Sequence, residues 1–367
     1  MRDAVLEREY EMRTLEEALE DAIAGAGSAV LVFGEAGIGK SSLVRAFLAS
    51  AGSEARVLFG ACDDLLTPRT LGPFRDMGRA SKGKLATAVS QGSDRDAVFG
   101  AVLDELAVPT TIMVIEDVHW ADDATLDVIR YLSRRIGSVP GMVILTYRHD
   151  ELRDDHPLLR VLGGFAGEGA RRLHLRPLSL DAVRDMSLGS SVNAVEVFDA
   201  TQGNAFFVAE ALAAPDSIVP ATVRDAVLAR VRSLAPATRE ALAVLSVIPV
   251  RIDRWLVEAL LEDPGSVLEE AEQRGVLVSD TNQVWFRHEI ARRAVQQALA
   301  PSARLDHNRR VLQRLVAHPD PDLAQVVHHA READDPERVV RYALQAAAEA
   351  ARAGAYREAL SHFEQVL

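Results

Sequence analysis

Residues 34–41 constrain this chain more than any other stretch. They read Gly34-Glu35-Ala36-Gly37-Ile38-Gly39-Lys40-Ser41, which meets the pattern G-x-x-x-x-G-K-[ST] at every fixed position. A short apolar run, Ser28 to Phe33, precedes the motif, and a segment of helical period, Ser41 to Ser50, follows it. Strand, glycine-rich turn, helix is the order this chemistry needs. Glycines let backbone N–H groups turn toward phosphate oxygens. The start of the helix adds favourable partial charge for an anion. Lys40 is expected to reach the β- and γ-phosphates of a nucleotide, and Ser41 Oγ to bind Mg²⁺. The reading is a P-loop for ATP or ADP with Mg²⁺, its contacts running from Gly34 through Ser41 to Ser42.

The bulk of the chain is compatible with that. Its 367 residues suggest two or three domains. The formal net charge of −13 lacks the broad basic field that non-specific DNA binding needs. One cysteine, Cys62, excludes an intrachain disulfide and a cysteine-based zinc site. The charged N-terminus (Arg2, Asp3, Glu7, Arg8, Glu9) does not read as a signal peptide. Apolar runs such as Ala29–Phe33 are far short of a membrane span, so no membrane partner and a cytoplasmic location are expected.

Short apolar runs alternate with helical segments through the first half. Strands are expected at Ser28–Phe33, Arg56–Gly60, Thr111–Ile115, Met142–Tyr147 and Arg172–Leu175. Residues 5–24 read as an amphipathic helix. Residues 64–107 read as mostly helical, broken at Pro68, Pro73, Gly83 and Gly92. Ala124–Ile136 is a helix with Leu126, Ile129, Leu132 and Ile136 at helical spacing, and Asp122 or Asp123 can cap it. This alternation predicts an α/β fold with a mainly parallel sheet covered on both faces. The pattern changes near Pro177. Residues 179–219 read as a set of short helices. Residues 220–300 read as helices followed by two short strands, Val276–Val278 and Val284–Arg287, the layout of a winged helix. From 301 to 367 the chain is helical and alanine-rich, leaving 1–178 as the nucleotide-binding domain.

Two acids close the third strand, Glu116 and Asp117. Such a pair suits a Walker B site, one carboxylate holding the Mg²⁺ shell and the other orienting the attacking water. Strand alternation would put the two on opposite faces and give them different roles. The metal set is then Ser41, Glu116 and Asp117. Arg148 directly follows the fourth strand, at the edge where open α/β sheets bind ligands. A sensor of the γ-phosphate and a surface arginine beside His149, Asp150 and Glu151 both fit that position. His119 and Trp120 read as packing near the strand end, and His328-His329 lack a matching ligand set.

Several stretches together resemble the STAND ATPases, and within them the ATPase part of large LuxR-type transcription regulators. They are Leu6-Glu7-Arg8-Glu9, the P-loop, Ile115-Glu116-Asp117-Val118-His119-Trp120-Ala121-Asp122, Leu145-Thr146-Tyr147-Arg148, Thr201-Gln202-Gly203-Asn204-Ala205-Phe206-Phe207 and Phe286-Arg287-His288-Glu289. The resemblance implies an ASCE-type ATPase core, a helical lid, a winged helix and a helical repeat sensor. It implies that Arg8 lies near the adenine, that Arg148 is the first sensor, and that His288 contacts the ADP β-phosphate in a closed state. For His288, a wing residue that packs or faces water is the other reading. The chain departs from the pattern at Glu116, where such sites often have Asp, and at Ala205, where relatives often have proline. The residues Gly354, Tyr356, Ala359 and Phe363 resemble a tetratricopeptide repeat unit that stops at Leu367. A solenoid needs several repeats, so a longer protein is expected.

The functional expectation is a switch. ADP holds a closed state, an unknown inducer on further helical repeats favours ATP and a self-associating open state, and slow hydrolysis resets it. DNA would be met only through an output domain beyond residue 367. The alternatives are a DNA-stimulated remodelling ATPase and a non-hydrolysing nucleotide-bound scaffold.

Overall fold

The computed structural model describes all residues except 1–5, 53–54, 82, 91–94, 166–169, 189, 191, 214–222, 250 and 367. The expected break at Gly92 and the boundary at 219 and Pro220 lie outside the described residues. The chain divides into two compact units, residues 1–176 with 344–367, and residues 177–343.

In the first unit the elements run α1 (Glu9–Ile23), β1 (Ser28–Phe33), α2 (Lys40–Ser50), β2 (Arg56–Ala61), α3 (Gly72–Ser81), α4 (Lys84–Ser90), α5 (Arg95–Leu106), β3 (Thr111–Glu116), α6 (Asp123–Ser133), β4 (Gly141–Tyr147), α7 (Pro157–Gly163) and β5 (Ala170–His174). The five strands form one sheet in the order β2-β3-β4-β1-β5, and every neighbouring pair is parallel. β3 and β4 are buried along their whole length, while β2 and β5 at the edges are partly exposed. That explains the continuous apolar runs of the central strands, since a parallel sheet covered on both faces needs no polar alternation.

Side chains still alternate between two cores. Val30, Val32, Ile112, Val114, Met142 and Ile144 pack with Leu15, Ala18, Leu43 and Phe47 of α1 and α2. Their neighbours Ala29, Leu31, Met113, Ile115, Val143 and Leu145 pack with Phe74, Met77, Leu106, Leu126 and Ile129 of α3, α5 and α6. The period of two is the pleat of the strands.

α6 is shorter than expected. It ends at Ser133, and Ile136 sits in a separate 3₁₀ turn, Ile136–Ser138, while remaining buried. Burial of Ile136 therefore survives a break in the helix, which is why its spacing looked helical. Asp122 caps α6, its carboxylate accepting from the Thr125 N–H at 3.1 Å.

The second unit is helical with one small sheet. Its elements are α8 (Leu180–Met186), α9 (Ala194–Thr201), α10 (Ala205–Leu212), α11 (Val223–Arg232), α12 (Pro236–Ser246), β6 (Ile252–Asp253), α13 (Arg254–Leu260), α14 (Pro264–Gln273), β7 (Leu277–Ser279), β8 (Gln283–Phe286), α15 (Glu289–Ala298), α16 (Pro301–Ala317) and α17 (Leu323–Glu332). The sheet is antiparallel, in the order β6-β8-β7. Its third strand was not expected. Ile252 pairs with Val284 at the head of what periodicity reads as a helix over 252–262. Two residues are too few to display a strand period.

Two more helices close the chain, α18 (Pro336–Arg352) and α19 (Tyr356–Glu364). From Leu344 onward they belong with the first unit, where Ala350, Ala355 and Ala359 join the core that contains Leu126 and Ile129.

Candidate nucleotide-binding site

The loop between β1 and α2 carries the motif. Gly37 and Gly39 stand at φ +78° and +106°, in the left-handed region that side chains other than glycine rarely adopt. At Gly34 an added Cβ would lie 3.0 Å from both Ile38 Cγ2 and the Leu175 carbonyl oxygen. α2 has no side-chain cap on its first turn and no acid in it. An uncapped helix start without a carboxylate is suited to an anion supplied from outside.

Lys40 folds back over this loop. Its Nζ donates to the carbonyl oxygens of Gly34 at 2.9 Å and Glu35 at 2.8 Å. Burial pushes its pKa down to about 8. Asp117 pushes it up, Arg148 down, and Asp150 and Glu116 up, so all four side chains act on one ammonium. The basic residue of the motif is thus held where phosphate would exchange for backbone carbonyls.

The acids come from the end of β3. Glu116 is the last residue of the strand and is buried. Asp117 is not in the strand. It sits at φ 54°, ψ 44° and opens a 3₁₀ turn, Val118–Trp120. Strand alternation therefore does not separate the two acids as expected; a left-handed kink does. Such a conformation costs about 1–2 kcal/mol for an L-residue and is found where the surroundings enforce it. Here the Asp117 N–H donates to Thr146 Oγ1 at 3.0 Å, which ties the kink to β4.

β4 stands between β3 and β1, so the residue after it lies between the acids and the P-loop. That residue is Arg148. It is buried, so the surface-arginine reading does not hold. Its guanidinium pairs with Glu151 at 2.5 Å and lies 4.8 Å from the centre of the Trp120 ring. The other oxygen of Glu151 is 3.4 Å from His119 Nε2, and His119 Nδ1 is 3.9 Å from Asp117 Oδ1. The His119 contact and Arg148 hold the Glu151 carboxyl down at about 2. Sequence reasoning left Trp120 and His119 as packing residues and did not single out Glu151 or Thr146. The only signal for them was their nearness to strand ends.

Among the described residues, no group of three His, Cys, Asp or Glu side chains could hold a metal ion. Mg²⁺ in nucleotide sites takes one or two carboxylates, with water and phosphate completing its shell. Ser41, Glu116 and Asp117 are suitable donors for a cation of that kind, arriving with the nucleotide.

A family model described as an AAA ATPase domain matches residues 4–145, which include α1 and most of β4. Residues 4–145 are thus similar to an AAA ATPase domain. A solved STAND protein with a tetratricopeptide repeat sensor from Pyrococcus horikoshii aligns over 96% of this chain and 57% of its own, at 17% identity and TM-score 0.60. A Walker-type ATPase of Pyrococcus abyssi aligns over 80% of this chain and 97% of its own, at 17% identity and TM-score 0.35. An uncharacterized protein of Rhizobium meliloti is 26% identical over 225 residues, which is 49% of this chain and 21% of that one. The chain thus spans about a fifth of that relative and just over half of the STAND structure.

The family resemblance added two further residues, Arg8 and His288. Arg8 precedes α1 and is buried. Its guanidinium donates to the carbonyl oxygens of Glu7 at 2.9 Å and Arg176 at 2.6 Å, and burial lowers its pKa. His288 belongs to the second unit, where its ring lies 4.3 Å from that of Phe206. Among the described residues, no helix is long and apolar enough to cross a membrane.

Proposed function

We propose that this ATPase is the nucleotide-operated part of a signalling switch, within a longer LuxR-type transcription regulator. One observation carries the reading: Glu116 and Asp117 at the end of β3 and Arg148 after β4 all act on the buried Lys40 ammonium at the P-loop. A nucleoside triphosphate with Mg²⁺ matches that set in charge. The phosphates would take the α2 amides and Lys40. Ser41 with Glu116 or Asp117 would hold the metal, and the remaining acid would orient the attacking water. Bound Mg²⁺ supplies charge neutralisation of the phosphates.

The switch itself is inferred from the fold shared with a STAND protein that has a repeat sensor. ADP would favour a closed state and ATP a self-associating one, with an inducer acting on repeats further along the protein. His288, and the wing-like sheet β6-β8-β7 that leads to it, would respond to the nucleotide state. DNA would be met through an output domain outside these residues. A ligand shifts such an equilibrium only by its difference in affinity for the two states.

The test is the nucleotide that co-purifies, released by denaturing fresh protein and identified by chromatography. Near-stoichiometric ADP, lost in Lys40→Ala and reduced in His288→Ala, is the expected result. An empty site with fast ATP turnover stimulated by DNA would favour a remodelling ATPase instead.

A further inference from the structure

Glu151 is a carboxylate of the P-loop site that no phosphate-binding role uses. Glu151 lies beyond the end of β4, in the turn after Arg148, and about a third of its side chain is exposed. It nevertheless makes the shortest contact of the cluster, 2.5 Å to the Arg148 guanidinium, whose own side chain is only 7% exposed. That guanidinium also lies over the Trp120 ring, 4.8 Å from its centre. Arg148 is therefore fixed twice, by an ion pair and by an aromatic face, both supplied by residues next to strand ends. An arginine so placed presents a planar, directional donor set, one N–H of which is already engaged by Glu151.

A γ-phosphate would bring negative charge to the same guanidinium. Two anions cannot share one buried cation without mutual repulsion, and the repulsion acts on the triphosphate far more than on the diphosphate. We propose that Glu151 is a competing counter-ion for Arg148, which sets how strongly this site distinguishes ATP from ADP, while Trp120 positions the guanidinium for the exchange. The proposal rests on the reading of Arg148 as the residue that meets the terminal phosphate. Glu151 is a specificity-determining residue in this scheme, and it takes no part in bond breaking. The contact from His119 to the second Glu151 oxygen keeps the carboxylate in place at 3.4 Å, and the pull of His119 and Arg148 keeps it ionised near neutral pH.

The test is calorimetric titration of the 367-residue chain, freed of nucleotide, with Mg-ADP and with a non-hydrolysable Mg-ATP analogue. Glu151→Gln keeps the shape and removes the charge. The ratio of ATP-analogue to ADP affinity is expected to rise about tenfold, within the usual range for coupled interactions at one site. Trp120→Leu is expected to lower that ratio while ADP affinity stays close to the original. In Arg148→Ala the ratio falls, and adding Glu151→Gln to it changes nothing further, because the two side chains act through each other. An unchanged ratio in Glu151→Gln, with Arg148→Ala still selective against the ATP analogue, overturns the proposal and leaves the reading of Arg148 intact. Equal weakening of both nucleotides by Arg148→Ala overturns that reading, and the proposal with it.

Discussion

Asp122 accepts three hydrogen bonds in a site closed to water: from the Thr125 N–H and the Leu71 N–H at 3.1 Å each, and from Thr125 Oγ1. Burial raises its pKa, yet these donors favour the ionised form. The residue caps α6 and ties it to the start of α3. Asp122→Ala would remove the cap and strand two buried N–H groups, at a cost of about 2–3 kcal/mol. Chemical denaturation should report that loss with the slope unchanged; a loss below about 0.5 kcal/mol would mean that the donors find water. A cap at Asp122 or Asp123 was readable in advance, since Asp before an apolar helical run is a local signal, and the structure selects Asp122. Its bond to Leu71 was not, because 51 residues separate the partners. Thr146 and Glu151 are in the same position. Each is an ordinary polar residue beside a strand end until the sheet order brings β3 and β4 together.

At the scale of elements, α19 presents a buried acid to the start of α6. Glu358 Oε1 accepts from the Asp123 N–H at 3.1 Å, and its Oε2 has no hydrogen-bond partner among the described residues. Burial first, then Asp122 and Asp123, raise its pKa from 4.5 to about 7, with Arg357 opposing. An acid whose packed value lies above its free value keeps its proton when packed and loses it when released. Its contribution is full below about pH 4.5 and declines as pH rises to about 7. Glu358→Gln should remove this dependence. Relative to the natural chain, the variant should gain about 2 kcal/mol of stability between pH 5 and pH 8, read from melting curves at the two pH values. A constant difference between the two proteins across that range would refute the buried-acid account. The helix itself was legible from its repeat-like spacing. Its partner was not, since Gly354, Tyr356, Ala359 and Phe363 specify a helix with a small-residue face and no address for that face.

For the whole molecule, the chain returns to its beginning. Residues 344–367 are counted with residues 1–176, and Ala350, Ala355 and Ala359 lie in a core otherwise built from the first 165 residues. Thr67 Oγ1 is 2.9 Å from Ser361 Oγ and accepts from Gln365 Nε2 at 2.7 Å, fastening the same segment. A chain cut after Ala343 should therefore melt lower by about 5 °C or more, with Mg-ADP present in both samples. Equal melting temperatures would show that the segment adds nothing to the first unit.

The amino-acid order by itself determined the P-loop, the alternation of buried strands and helices, and the acids at the end of β3. These are local: a turn chemistry, a period and a strand end are each written within a dozen residues. Only the tertiary structure decided which strand stands between the P-loop and the acids, that Asp117 leaves the strand in a left-handed kink, and that Arg148 is clasped by Trp120 and Glu151. Those facts depend on contacts between segments far apart in sequence, whose closeness is set by sheet order and core packing. The same reason put the last helix against the first domain, because an apolar face is specified by its own residues but its partner is chosen by the fold.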